Sequence, residues 1–307
     1  MRIVFFGTPD FALASLQALL QSRFDVAGVV TQPDKPQGRS RSELVSPPIK
    51  NVALSEGIPV LQPVRPVGDV FTTSLRRLEP DLGVVVAYGH ILKPDVLAIP
   101  PRGMINVHAS LLPRHRGAAP IQHAILKGDT ETGVSIMQME AGLDSGPVLH
   151  RVSTPIERDE NAGSLSGRLA ELGAGALVEA LSLLSAGVAR PQPQDESRAT
   201  YAPKIDREMA RLAWDRDATT LVRQVRAFDP APGAWTLLDG CLLKLFGARE
   251  VPGAGEPGTV LAAGERLVVA AGRGAVAVQE VQPAGRSRLR VDAWVRGRGA
   301  SPGQRLE

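Results

Sequence analysis

Short apolar runs alternate with helical spacings along the first two thirds of this chain. Residues 2–7, RIVFFG, read as a buried strand, and in TPDFALASLQALLQS the side chains Phe11, Leu16, Leu19 and Leu20 share one helical face. Pro9 suits the start of that helix. A strand, DVAGVVT, follows, then a long loop from Gln32 to Pro48, a helix (PIKNVALSEG), a short strand (IPVLQP) and a helix (VFTTSLRRLEP). DLGVVVAYG carries a continuous apolar run at Val84, Val85 and Val86, as parallel strands do when both faces are covered. GMINVHAS predicts the next strand, APIQHAILKG a helix, and TGVSIMQM and GPVLHRVSTPI two further strands. A helix spans residues 162–187, although Gly167, Gly173 and Gly175 weaken its middle.

This alternation predicts an α/β domain over residues 1–188, with a doubly wound, mostly parallel, Rossmann-like sheet. Residues 189–206, ARPQPQDESRATYAPKID, read as a polar, Pro-bearing linker. The period then changes. One helix, DATTLVRQVRAF, precedes short Gly-punctuated strands (AWTLLDG, CLLKLFGA, GTVLAAG, RLVVAAG, AVAVQEV), which predict a small OB-like β-barrel over 207–307.

Composition narrows the class. Of 307 residues, 43% are hydrophobic and 22% charged, enough for a real core and a solvated surface. No apolar run approaches the roughly 18 residues of a membrane span, and the N-terminus has no secretory h-region. Cys241 is the sole cysteine, so neither an intrachain disulfide nor a multi-cysteine metal site can form, and a cytoplasmic setting is expected. The net charge of +3 says little, but its distribution says more. Residues 207–307 hold 15 Lys and Arg against 11 Asp and Glu, and six arginines lie between Arg286 and Arg305. This is either surface decoration or a face for a polyanion.

Nucleotide loops are absent or false. GAGEPG, Gly253–Gly258, has dinucleotide-fingerprint spacing, but prolines interrupt it and a strand follows where a helix is required. The first strand ends in a turn with one glycine, and no Walker-type loop exists.

Chemistry gathers instead around INVHAS. Side chains alternate along a strand, so Asn106 and His108 share one face. Two polar groups on a covered sheet face cost free energy unless they find partners or line a cavity. They end a strand, where open α/β sheets place ligands. Asp144, in the glycine-rich MEAGLDSGPV, either organises its turn or reaches the same carboxyl edge of the sheet. Asn, His and Asp without a nucleophilic Ser or Cys point to direct acyl transfer to an amine. Asn donates to an oxyanion, His moves a proton near neutral pH, and Asp orients the His. Ser110 lacks a nucleophile-elbow context and reads as a loop residue.

The segments FFGTPDFA, VTQPDKPQGR, VVVAYGHIL, INVHASLLPRHRGAAPIQHAI, GDTETGVSIMQMEAGLDSGPVL and RAFDPAPGAW together resemble the methionyl-tRNA formyltransferase family, one branch of the 10-formyltetrahydrofolate-dependent formyltransferases. The resemblance runs through the whole chain. It implies that Asn106, His108 and Asp144 are the catalytic trio, with protonated His108 helping Asn106 to stabilise the oxyanion. It implies that Ser110, Leu111, Leu112 and Pro113, with Tyr88, Gly89 and Ile91, line the folate site. Arg39 and Arg41 would then touch charged initiator tRNA, together with the basic C-terminal domain. The implied co-substrate is 10-formyltetrahydrofolate; no metal, membrane or obligate protein partner is implied. His90 and Ala231 depart from the family's common residues. Two rival readings differ in class: a formyl-folate enzyme acting on a sugar amine or a purine precursor, or hydrolysing the donor, and an RNA-binding protein with an inactive α/β domain. The first would lack the TQPDKPQGR loop and the β-domain, and the second has no use for the trio.

Overall fold

A computed structural model of the chain describes residues 1–37, 43–297 and 299–307. It separates into two compact units interleaved in sequence. The first holds Met1–Gly117, Thr132–Thr154 and Ser166–Tyr201; the second holds Ala118–Glu131, Pro155–Leu165 and Ala202–Glu307.

In chain order the first elements are β1 (Arg2–Gly7), α1 (Leu13–Gln21), β2 (Asp25–Val30), β3 (Lys35–Gln37), β4 (Glu43–Val45), α2 (Pro48–Ser55), β5 (Val60–Leu61) and α3 (Asp69–Arg76). They continue with β6 (Leu82–Val86), α4 (Pro94–Leu97), β7 (Met104–His108), α5 (Pro120–Lys127), β8 (Glu131–Gln138), β9 (Val148–Pro155) and α6 (Ala162–Ser185). Seven strands form one sheet in the order β5-β2-β1-β6-β7-β8-β9. The five from β5 to β7 are parallel, and β8 runs antiparallel to β7.

One face of this sheet is an apolar cluster that includes Val4, Phe6, Val30, Val85, Tyr88 and Met104, capped by Phe71 and Leu75 of α3. Val85 pairs with Asn106 across parallel strands, so their side chains share that face. Going along β7 from Met104, this apolar face therefore turns polar at Asn106 and His108. Val107 points the other way, against α6. A Cβ on Gly173 would come within 3.0 Å of Val107 and 3.5 Å of Val134. That close approach explains a glycine in mid-helix, and α6 runs unbroken through it.

Local structure departs from the apolar periodicity in two places near the sheet's carboxyl edge. The strand expected over 81–89 stops at Val86, because Ala87 turns to φ +47°. The expected loop 32–48 contains the β3–β4 hairpin.

In the second unit α7 (Ala218–Ala227) packs against α5. The strands are β10 (Ala234–Leu238), β11 (Cys241–Phe246), β12 (Arg249–Val251), β13 (Val260–Ala263), β14 (Leu267–Ala270), β15 (Ala275–Val278), β16 (Glu280–Pro283) and β17 (Leu289–Arg290), followed by α8 (Val291–Arg296). They make two antiparallel sheets, β10-β11-β16-β17 and β12-β15-β14-β13. What the sequence presents as one strand, AVAVQEV, changes sheet at Gln279, and CLLKLFGA stops at Phe246. Gly247, at φ +62°, stands opposite Gln279, whose N–H donates to the Phe246 carbonyl. The two corners coincide, so both strands pass together from one sheet to the other. Closure on the far side comes from the C-terminal segment. Leu237 and Glu307 exchange backbone hydrogen bonds, while Leu306 donates to Gly258 and Val260 to Gln304.

Candidate active site

His108 ends β7 with its side chain only 5% exposed. Its Nε2 lies 3.0 Å from the carbonyl oxygen of His115. A carbonyl only accepts, so Nε2 carries the proton, and in the neutral ring Nδ1 is left as the acceptor. Nδ1 is 3.7 Å from Oδ2 of Asp144, too far for a direct hydrogen bond but close enough for strong Coulomb coupling. The same Oδ2 accepts the Gly117 N–H at 2.8 Å. Asn106, one pleat before His108 on the same face, is half-buried, and its amide has no hydrogen-bond partner among the described residues.

Asp144 arrives by a different route from the one its sequence context predicts. Because β8 is antiparallel, Gln138 pairs with Ile105 and Ser135 with His108. The chain therefore leaves β8 at the amino edge of the parallel strands, not the carboxyl edge. Residues 139–147 return Asp144 to His108, and Met139 packs onto the same apolar face as Asn106 and His108. Antiparallel pairing is a tertiary fact that strand periodicity does not encode. Asp144 sits at φ +49°, an uncommon conformation for a non-glycine residue. A Cβ on Gly146 would run into the Gln138 carbonyl, so only glycine fits there.

Burial lowers the pKa of His108 below the usual histidine value. The carboxylate of Asp144, next in size, opposes this without reversing it. Burial therefore favours the neutral imidazole at rest, whereas the resemblance implies a protonated His108. The arrangement offers an oxyanion donor at Asn106 and a proton acceptor at His108 Nδ1. Asp144 is placed to stabilise the imidazolium once the proton has moved.

The SLLP segment is bound tightly at its start. Ser110 is fully buried, and its Oγ donates to the Arg114 carbonyl at 2.6 Å. Ser135, facing it from β8, donates to the Ser110 carbonyl at 2.7 Å and accepts the Leu112 N–H at 3.1 Å. The Leu112 side chain packs with Met137 and Val148, whereas Leu111 and Pro113 are half-buried. The segment after β6 emerges beside β7 at the same sheet edge, as the Val85–Asn106 pairing requires. There Tyr88 is core, edge-on to Phe6 at 5.4 Å, with its hydroxyl unpartnered among the described residues and its pKa pushed up to about 12 by burial. The Tyr88 carbonyl accepts from Thr8 Oγ1 and Gln32 Nε2. Gly89 is at φ +84°, where a Cβ would press on Gln32, and Ile91 and His90 face solvent. Arg39 and Arg41 lie outside the described residues. Ala231 is exposed in the second unit, in the short segment before β10.

Three residues that the sequence reading left unassigned hold this site. Arg116, only 2% exposed, forks onto Glu196 at 2.7 and 2.9 Å and onto Gln194 Oε1 at 2.9 and 3.1 Å. Gln194 in turn donates to the carbonyls of Asp144 and Gly146, both at 2.8 Å. Ser135 is the third. In sequence a buried arginine such as Arg116 looks like an exposed one. Gln194 is hidden in the segment that composition reads as linker.

Comparison with known proteins places the chain in a family. The Formyl transferase family matches residues 1–181, and the Formyl transferase, C-terminal domain family matches 204–299. The methionyl-tRNA formyltransferase of Pelobacter propionicus is 50% identical over 288 residues, covering 94% of this chain and 90% of that protein. That of Magnetococcus marinus is 49% identical over 306 residues, covering 99% and 98%. Among solved structures, the N-formyltransferase from Helicobacter canadensis in complex with folinic acid and dTDP-3-aminofucose superposes with TM-score 0.70 at 16% identity, covering 92% of this chain and 98% of that one. HypX from Aquifex aeolicus in complex with tetrahydrofolic acid superposes with TM-score 0.66 at 23% identity, covering 97% and 47%. At such identities the two structures establish the fold alone.

Proposed function

The chain belongs to the formyl transferase family, and from that premise we propose that Asn106, His108 and Asp144 are the residues through which it works. The enzyme transfers the formyl group of 10-formyltetrahydrofolate to the α-amine of methionyl-tRNA. The amine attacks the formyl carbon, a C–N bond forms and the carbonyl oxygen takes up negative charge. Asn106 donates its amide N–H to that oxyanion. His108, neutral at rest, accepts the amine proton at Nδ1, and Asp144 stabilises the imidazolium across 3.7 Å. Collapse breaks the bond to N10 of the folate, which takes the proton from His108 and leaves as tetrahydrofolate. The observation that carries this reading is an Asn106 amide without a hydrogen-bond partner among the described residues, on the same strand face as buried His108 and its partly buried neighbour Asp144.

The folate donor lies against Leu111, Pro113, Gly89 and Ile91, with Ser110, Leu112 and Tyr88 shaping the wall from behind. Charged initiator tRNA is the acceptor, met by Arg39 and Arg41 and by the basic C-terminal domain, in the cytoplasm. Purified Asn106→Ala and His108→Ala, checked for folding, should each lose about a hundredfold or more in kcat for formyl transfer. A folded His108→Ala with near native turnover would refute the assignment.

A further inference from the structure

We propose that Gln194 and Arg116 are positioning residues that set the His108–Asp144 geometry and, through it, the proton affinity of His108. This rests on the reading of His108 and Asp144 as the proton-handling pair. A Gln amide has two N–H donors and one oxygen with two acceptor sites. In Gln194 all four are used: both donors go to the carbonyls of Asp144 and Gly146, and both acceptor sites go to Arg116 Nε and Nη2. The amide can sit only one way round, because a flip would set donors against donors.

Arg116 is flanked by the two backbone groups that orient the pair. The carbonyl of His115 takes the Nε2 proton of His108, and the N–H of Gly117 binds Asp144 Oδ2. This short stretch is also fastened to Thr200, whose Oγ1 accepts the His115 N–H at 2.9 Å and whose carbonyl accepts the Arg116 N–H at 2.8 Å. Residues 194–200 therefore act as a strap holding the His108 support and the Asp144 turn in one register. The turn needs holding, since Asp144 is in the left-handed region, and Gln194 holds its carbonyl and that of Gly146. An interaction spread over one buried guanidinium transmits any displacement of Gln194 to both members of the pair.

The test is Gln194→Ala in the full-length enzyme, alone and combined with Asp144→Ala, followed by single-turnover formyl transfer and by NMR titration of the His108 ring. Loss of the clamp should lower the rate about tenfold to a hundredfold, a misplacement effect, with KM for either substrate changed less than about threefold. His108 should titrate at lower pH than in the native enzyme, because a loosened Asp144 supports the imidazolium less. In the Asp144→Ala background the same substitution should have almost no further effect. Gln194→Glu, which keeps the fork to Arg116 but loses both donors to the turn, should also lower the rate, and it serves if Gln194→Ala unfolds. Equal losses in both backgrounds, or an unmoved His108 titration with only a lower Tm, would overturn the proposal. A native rate in Asp144→Ala alone would instead overturn the catalytic reading beneath it.

Discussion

At the scale of single residues, His108 shows how environment decides chemistry. Its folded pKa is lowered by burial, so as pH falls the unfolded chain takes up a proton before the folded one does. The stability it contributes is therefore full above about pH 6.5 and is lost as pH drops from there through the folded value. Activity should follow the same group. The acid limb of kcat/KM is expected below about pH 6.5, and Asp144→Asn should move it lower still while reducing kcat. A pH–rate profile checks this, and an acid limb above pH 7 would contradict a neutral resting His108. Tyr88 gives a second test. Its buried hydroxyl has no partner among the described residues, and such a group costs on the order of 1 kcal/mol or more. Tyr88→Phe should hold or raise Tm and leave donor KM within about twofold if only the ring shapes the pocket wall. A marked rise in donor KM would assign the hydroxyl to ligand binding.

At the scale of elements, the β8–β9 connection does the work that the sequence credits to a sheet edge. Its length, the glycine at 146 and the Gln194 clamp bring Asp144 back across the face that Asn106 and His108 share. Gly146→Ala would drive a Cβ into the Gln138 carbonyl, which as backbone cannot move aside cheaply. The turn would shift, and kcat is expected to fall about a hundredfold while substrate KM values hold. Hydrogen exchange at Gly117, whose N–H binds Asp144, should rise in step with that loss. Unchanged exchange and rate would mean that the turn tolerates the extra atom. The same scale explains α6, where Gly173 lowers helix propensity yet admits Val107 and Val134 to close contact.

At the scale of the whole molecule, each unit depends on segments distant in sequence. The barrel of the second unit is closed by residues 304–307, which bond to β10 on one side and to the approach to β13 on the other, with Leu306 2% exposed between them. Deleting these residues removes several backbone hydrogen bonds and one buried leucine. At least about 3 kcal/mol of stability should be lost. Faster amide exchange at Leu237 and Val260 and a lower Tm would register the loss, and an unchanged Tm would refute the closure. The sequence by itself determined the types of the longer elements, though not the β3–β4 hairpin or the short α4 and α8, because apolar period 2 or 3.6 follows from which faces must be dry. It determined Asn106 and His108 as a facing pair, because alternation along a strand is local geometry. It also carried enough extended likeness to mark the family. Only the tertiary structure decided that β8 turns back antiparallel, that two apparent strands bend together at Gly247 and Gln279, and that Arg116 and Gln194 are buried partners. It showed too that His108 is buried, which lowers its pKa. Strand direction, burial of a charged side chain and a shifted pKa all depend on neighbours far away in the chain, and no local pattern records which neighbours those will be.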